Sequence, residues 1–284
     1  MEGARRALVL GSGGVTGIAW ELGVLAGLAE GGLSLAAEQV IGTSAGALVA
    51  ARLTSGSTIV ELLAELARNE PAHRAGRVGA AALGRLLAAQ VVPDRRQAVV
   101  RLGREARRSW TPAAQAAWVA ALVPQLAGQP WPEPLAIVAT EAESGRPMLF
   151  SARQPTDLAL AVAASCAMPG VFPAVRIDER WYFDGGLRSP ANLDVATGAE
   201  SVIALAPLAG SLSPHRRPSV QAKALDAAVV LVRPDTASRA AIGLDVLDPS
   251  RAAKVAAAGR VQGRRTAVRW GGEWPTLTGT RTRA

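Results

Sequence analysis

Five residues, Gly42-Thr43-Ser44-Ala45-Gly46, constrain this chain more than any other feature. They spell G-x-S-x-G between a short apolar run, Gln39-Val40-Ile41, and a stretch patterned as a helix. A serine at such a strand-to-helix elbow is held in a strained backbone, with its hydroxyl pushed out of the sheet. Gly42 and Gly46 would let strand and helix approach where a Cβ would clash. The pentapeptide arises easily by chance in a chain with 29 glycines, so its placement carries the meaning. A chain built around this elbow needs an interior sheet and a helix that leaves it.

Two further segments bear on the elbow. Upstream, the apolar run Ala7-Leu8-Val9-Leu10 precedes Gly11-Ser12-Gly13-Gly14-Val15-Thr16-Gly17, and a helix is expected from Ile18 to Gly31-Gly32 on the spacing of Ile18, Leu22, Leu25 and Ala29. A glycine-rich turn at a helix N-terminus presents bare N–H groups to a phosphate or an oxyanion. A dinucleotide fingerprint fits poorly: Thr16 stands where G-x-G-x-x-G needs glycine, and no acidic residue ends a second strand. Downstream, Trp181-Tyr182-Phe183-Asp184-Gly185-Gly186 puts an aspartate at the end of an aromatic strand. Alone, Asp-Gly marks a hairpin turn more often than a site.

Taken in order, the glycine-rich loop, the G-T-S-A-G elbow and the D-G-G turn resemble the patatin-like phospholipases. Ala164-Ser165-Cys166-Ala167-Met168-Pro169-Gly170-Val171-Phe172-Pro173 is similar to the family's A-S-x-A-x-P-x-x-F-P, and Val138-Ala139-Thr140 to its buried strand before a hairpin. The resemblance covers residues 5 to 210, is weak from 70 to 130 and ends by about 245. It implies an α/β three-layer sandwich: a central, mostly parallel sheet with helices on both faces. It also implies acyl ester hydrolysis by a Ser-Asp dyad, with Ser44 as nucleophile, Asp184 as base, and the backbone of Gly13, Gly14 and Val15 as oxyanion hole. Gly42 and Gly46 would then flank the nucleophile elbow, and Gly185 and Gly186 the base turn. Two positions depart from the family's G-G-G-x-[RK]-G: Ser12 replaces the first glycine and Thr16 the basic residue. The loss of that positive charge leaves the backbone donors in place.

The histidine inventory points to a dyad on separate grounds. The chain has two histidines, His73 and His215, both in polar loop segments, and neither follows a strand as a triad histidine would. A carboxylate must then accept the serine proton directly, although its ordinary pKa near 4 makes it a weak base. A low-dielectric pocket raises that basicity, and Trp181, Tyr182 and Phe183 are candidates to supply one. Strand alternation allows only some of those rings to line a site.

Length fits one α/β domain over 1–270, with a basic, disordered tail at 271–284. Helices are expected over Ser57–Arg68, near Pro190–Thr197 and over Pro112–Ala127, and a buried strand over Val202–Ala206. Cys166, the one cysteine, reads as a small buried residue and points to no disulfide. Arg5-Arg6 before an apolar stretch only superficially resembles a signal peptide, and no run of 18 apolar residues suggests a membrane span. A cytoplasmic protein is expected, with neither cofactor nor metal. The net charge of +8 includes a cluster at Arg95, Arg96, Arg101, Arg104, Arg107 and Arg108. Arg101, Arg104 and Arg108 can share one helical face. That face is either solvated or docks on an anionic membrane, at its inner surface, with Trp110, Trp118 or Trp131 at the interface. Nucleic acid is not expected as a partner, since no recognition motif accompanies the charge. The substrate reading is a lipid ester, with phospholipid or lysophospholipid acyl chains foremost. Soluble acyl esters, or a lipid-binding scaffold with weak turnover, are the alternatives.

Overall fold

The computed structural model describes residues 5–68, 95–108, 110–154, 156–211 and 213–276. Strand β1 (Arg6–Leu10) lies inside the sheet, and its alternation sorts the two faces. Leu8 and Leu10 enter one core, Ala7 and Val9 the other. Strands β2 (Gln39–Thr43), β3 (Leu135–Glu141), β7 (Ser201–Leu205) and β8 (Ala228–Val232) continue the parallel part. Being covered on both faces, they are almost wholly apolar. Strands β4 (Pro147–Ser151) and β6 (Arg180–Asp184) pair antiparallel with β3, and β5 (Val175–Ile177) pairs antiparallel with β6. The order is β5-β6-β3-β2-β1-β7-β8, with β4 on β3 beside that path.

The chain thus leaves β1 toward β2 and β3, and later returns on β1's other side with β7 and β8. In open α/β sheets the loops beyond the carboxyl ends at such a reversal flank a crevice. Both the glycine-rich loop and the Ser44 elbow leave the carboxyl ends of strands in this region.

The larger core packs Leu8, Leu10, Ile137, Ile203 and Leu205 against helices α1 (Gly14–Glu30), α2 (Ala45–Thr54) and α6 (Leu158–Ser165), and also takes in residues of α9 (Ala252–Trp270). The other face carries smaller side chains, Ala7, Val9, Ala136, Val138 and Ala204. It is covered by α7 (Pro218–Ala224) and a 3-10 turn at Leu193–Val195. The remaining described helices are α3 (Ile59–Ala67), α4 (Arg95–Arg108), α5 (Pro112–Leu122) and α8 (Thr236–Ile242). None of the described helices is long and apolar enough to cross a membrane.

Several elements differ from the sequence expectation. Helix α1 begins at Gly14 rather than Ile18, because Gly14 takes φ +60 and turns the loop directly into the helix. The helix expected near Pro190–Thr197 is only the Leu193–Val195 turn. There Asn192 adopts left-handed φ 46, and its side chain bonds to Thr43 at the end of β2 and to Gly185. Helix α5 stops at Leu122 rather than Ala127, since Pro124 has no N–H to continue it. Helix α3 starts on a capping box between Thr58 and Glu61, close to the expected bounds. On α4, Arg101 and Arg104 are exposed, while Arg107 pairs with Glu143 and Arg108 with Glu105. His73, and residues 69–94 and 277–284 of the segments discussed above, lie outside the described residues.

Helix α9 was not legible as a packed element: it falls where the basic tail begins and past the family resemblance. It lies on α1 through facing glycines. A Cβ at Gly27 would stand 2.1 Å from the Arg260 carbonyl oxygen, and one at Gly263 would stand 2.3 Å from that of Val24. Trp20 Nε1 donates to Gln262 Oε1 at 3.1 Å, and Arg260 and Arg264 both reach Glu30. Gly27→Ala sets two effects against each other. Alanine favours helix over glycine by about 1 kcal/mol, but overpacking a closed contact costs about 1–3 kcal/mol more than a fitted side chain. The obstacle is backbone, which cannot swing away, so the clash wins. The urea midpoint of Gly27→Ala falls below wild type; an equal or higher midpoint contradicts this packing.

Candidate active site

The elbow is built by close approach. Ser44 stands at φ 54 and ψ −117, a left-handed conformation that costs a non-glycine residue about 1–3 kcal/mol. A Cβ at Gly42 would lie 2.5 Å from Ala47 Cα, and one at Gly46 would lie 2.2 Å from the Leu10 carbonyl oxygen. Only glycines permit this crossing. Ser165, the last residue of α6, braces the strained serine: its Oγ accepts the Ser44 N–H at 2.8 Å and donates to the Val138 carbonyl at 2.6 Å. Cys166 Sγ donates to the Ser44 carbonyl at 3.2 Å.

Asp184 ends β6, beside Ala139 of β3. Its Oδ2 accepts the Ser44 hydroxyl at 2.7 Å, and its Oδ1 accepts the Gly186 N–H at 2.7 Å. The Asp-Gly pair begins a 3-10 turn, Gly185–Leu187, and not a hairpin. Gly185 lies where a Cβ would stand 2.3 Å from the Val138 carbonyl oxygen. Asn192 Nδ2 donates to Thr43 Oγ1 at 3.2 Å and to the Gly185 carbonyl at 3.1 Å, which ties the turn to the elbow. Thr140 Oγ1 donates to the Asp184 carbonyl at 3.1 Å.

The glycine-rich loop completes the arrangement. Gly46 N–H donates to the Gly11 carbonyl at 3.0 Å, bonding elbow to loop. Gly13 is the N-cap of α1. Among the described residues, no acceptor meets the N–H groups of Gly13, Gly14 or Val15. Such first-turn donors are orphaned by helix geometry and carry the positive end of the helix dipole. Gly14 and Val15 line the same cavity as Ser44 and Asp184.

A family profile described as patatin-like phospholipase matches residues 8–197, the span that holds all three segments. The chain belongs to the patatin-like phospholipase family. At family level this makes it a lipid acyl hydrolase. No curated protein matches it. Among solved structures, VipD from Legionella pneumophila aligns at TM-score 0.48 and 12% identity, over 93% of this chain and 67% of that one. The type III effector protein ExoU aligns at TM-score 0.41 and 19% identity, over 96% of this chain and 56% of that one.

Both departures from the patatin-like loop pattern have a structural role. Ser12 is buried, and its N–H and Oγ both donate to the Pro190 carbonyl, at 2.7 and 3.0 Å. Thr16 is fully buried; its N–H donates to the Val246 carbonyl at 3.0 Å and its Oγ1 to the same oxygen at 3.3 Å. The loop is thus tied on one side to the segment after the base turn, and on the other to a segment beyond the matched family region.

The apolar surroundings differ from those expected. None of Trp181, Tyr182 and Phe183 lines the cavity. Phe183 packs with Val99 and Ala174, Tyr182 against Phe150, and Trp181 meets Trp110 and Arg107. Trp118 and Phe172 line it instead, stacked with centroids 3.8 Å apart. Trp118 is buried, so it is not an interfacial anchor; Trp110 and Trp131 are half-buried. A tryptophan on α5 could be placed at this cavity only by knowing how α5 docks on α6. His215 is exposed in a turn away from the cavity.

Burial raises the Asp184 carboxyl from its ordinary 3.8 to about 6, against the opposing bonds from Ser44 and Gly186. Burial, with the Asp184 charge, also pushes the Cys166 thiol up, which leaves it protonated. A carboxyl whose folded pKa is raised stabilises the fold at low pH. That contribution is lost as pH climbs from about 4 through 6. Glu21 on α1 is fully buried and shifted in the same direction, so the test compares Asp184→Asn with wild type. The unfolding free energy of the variant relative to wild type rises by about 2–3 kcal/mol between pH 4 and pH 7. Parallel profiles from urea denaturation contradict the shift.

Proposed function

We propose that this chain is a serine acyl hydrolase that cleaves carboxylic esters carried by lipids, through a Ser44–Asp184 dyad and an acyl-enzyme intermediate. One observation carries the reading: the 2.7 Å bond from Ser44 Oγ to Asp184 Oδ2, within a cavity that Gly14 and Val15 of the loop also line.

Ser44 Oγ attacks the ester carbonyl carbon while Asp184 takes its proton. The carbonyl oxygen becomes an oxyanion that accepts from Gly13, Gly14 and Val15, donors fixed before the charge develops. The tetrahedral centre collapses, the C–O bond to the alcohol breaks, and the alcohol leaves with the proton from Asp184. Water then attacks the acyl-Ser44 carbonyl with Asp184 again as base; the bond from the acyl carbon to Ser44 Oγ breaks, Asp184 returns the proton to Oγ, and the carboxylic acid departs. A base with a pKa of about 6 is ionised at neutral pH and still far more basic than an exposed aspartate. Gly42 and Gly46 allow the elbow that aims Ser44, and Gly185 and Gly186 the turn that presents Asp184. Contact with an anionic membrane through the arginines of α4 would bring the enzyme to lipid substrates.

Ser44→Ala and Asp184→Asn each lower kcat/KM on p-nitrophenyl butyrate by at least about 10³-fold, with far-ultraviolet circular dichroism unchanged. Turnover within tenfold of wild type in either folded variant overturns the dyad.

A further inference from the structure

The region Gly243–Asp248, between α8 and α9, lies beyond the matched family span yet reaches the site. The Val246 carbonyl accepts both donors of Thr16, and its oxygen lies 2.6 Å from where a Cβ at Gly14 would stand. The next residue, Leu247, is 7% exposed and lines the cavity that holds Ser44 and Asp184. Its N–H donates to Asp245 Oδ1 at 3.0 Å. Arg251 Nη1 closes the segment from its far end by donating to the Ala241 carbonyl at 3.0 Å. The segment is a wall between two spaces. Val246 lines a groove of about 1430 Å³, and Leu247 a cavity of about 60 Å³.

We propose that Leu247 sets the length of the acyl chain and that Ser44 takes short acyl groups, of about two to four carbons. The inference rests on the acyl hydrolase reading and narrows its substrate. The cavity of about 60 Å³ is under half the roughly 150 Å³ of an apolar cavity that binds benzene, so it suits a group of only a few carbons. Its lining around the dyad is apolar, including Ile18, Leu48, Leu122 and Met168, which suits an alkyl chain rather than a polar group. Another part of the lining is fixed too. Trp118 stacks on Phe172, and its Nε1 donates to the Ala163 carbonyl at 3.1 Å. A longer chain held within the cavity must displace either this stacked pair or a segment held by Thr16.

The test is hydrolysis of p-nitrophenyl acetate, butyrate and octanoate by the full chain and by two variants. Wild-type kcat/KM on octanoate is at least tenfold below butyrate. Leu247→Ala raises the octanoate-to-butyrate ratio at least tenfold, because the removed side chain opens the wall, and Leu247→Phe lowers butyrate relative to acetate. A small fluorophosphonate that labels Ser44 reports that each variant keeps its site. If Leu247→Ala is not labelled, Leu247→Phe decides. Wild type that cleaves octanoate as well as butyrate, or ratios that neither labelled variant moves, overturns the inference and leaves the hydrolase reading standing. No turnover on any ester together with no labelling of Ser44 overturns both.

Discussion

Ser44 is held in a backbone conformation it would not choose, and the site is arranged around that constraint. Its φ of 54 turns the hydroxyl out of the sheet toward Asp184. The strain persists because the surroundings over-determine it. Gly42 and Gly46 let the backbones cross, Ser165 receives the Ser44 N–H, and Gly46 bonds to the loop at Gly11. These contacts join β2, α6 and the loop after β1, so the sheet order is a condition for the geometry. An isolated strand–helix unit would relax.

The loop before α1 illustrates how a departure in sequence is absorbed by structure. Ser12 and Thr16 change the chemistry of a glycine-rich and basic motif, and both side chains are turned inward as tethers. Thr16 spends its donors on Val246, and among the described residues no acceptor meets the N–H groups of Gly13, Gly14 or Val15. The region that receives this tether is anchored through α9, where Gln262 Oε1 accepts from Trp20, Ser238 and the Asp235 N–H. The part of the chain outside the family profile therefore bears on the loop that the profile includes.

Much of this was legible in the sequence, for a physical reason. The elbow, the loop and the Asp-Gly-Gly turn depend on local backbone needs, and glycine meets those needs visibly. The positions of β1, β2, β6 and β7 follow from apolar runs. What was illegible depends on tertiary docking. Trp118 and Phe172 are distant in sequence and meet only when α5 packs on α6. Ser165 stood in a quoted motif, but its role as acceptor for a strained serine is invisible without the crossing of α6 and β3. The run near Pro190–Thr197 patterned as helix, yet Asn192 spends its side chain on Thr43, Gly185 and Ser189 and breaks the pattern. Helix α9 hid its packing face because Gly259, Gln262 and Gly263 lie at the contact with α1, and a hydrophobic period does not register them.

The proposed chemistry makes Asp184 the only group that titrates during activation of Ser44. The most direct test is the rate of Ser44 phosphonylation by a fluorophosphonate between pH 4 and pH 8, with the labelled residue located by mass spectrometry. The account predicts a rate that rises through about pH 6, the value to which burial brings Asp184, and then levels off. A rate that stays flat across that range, or label found on a residue other than Ser44, contradicts it.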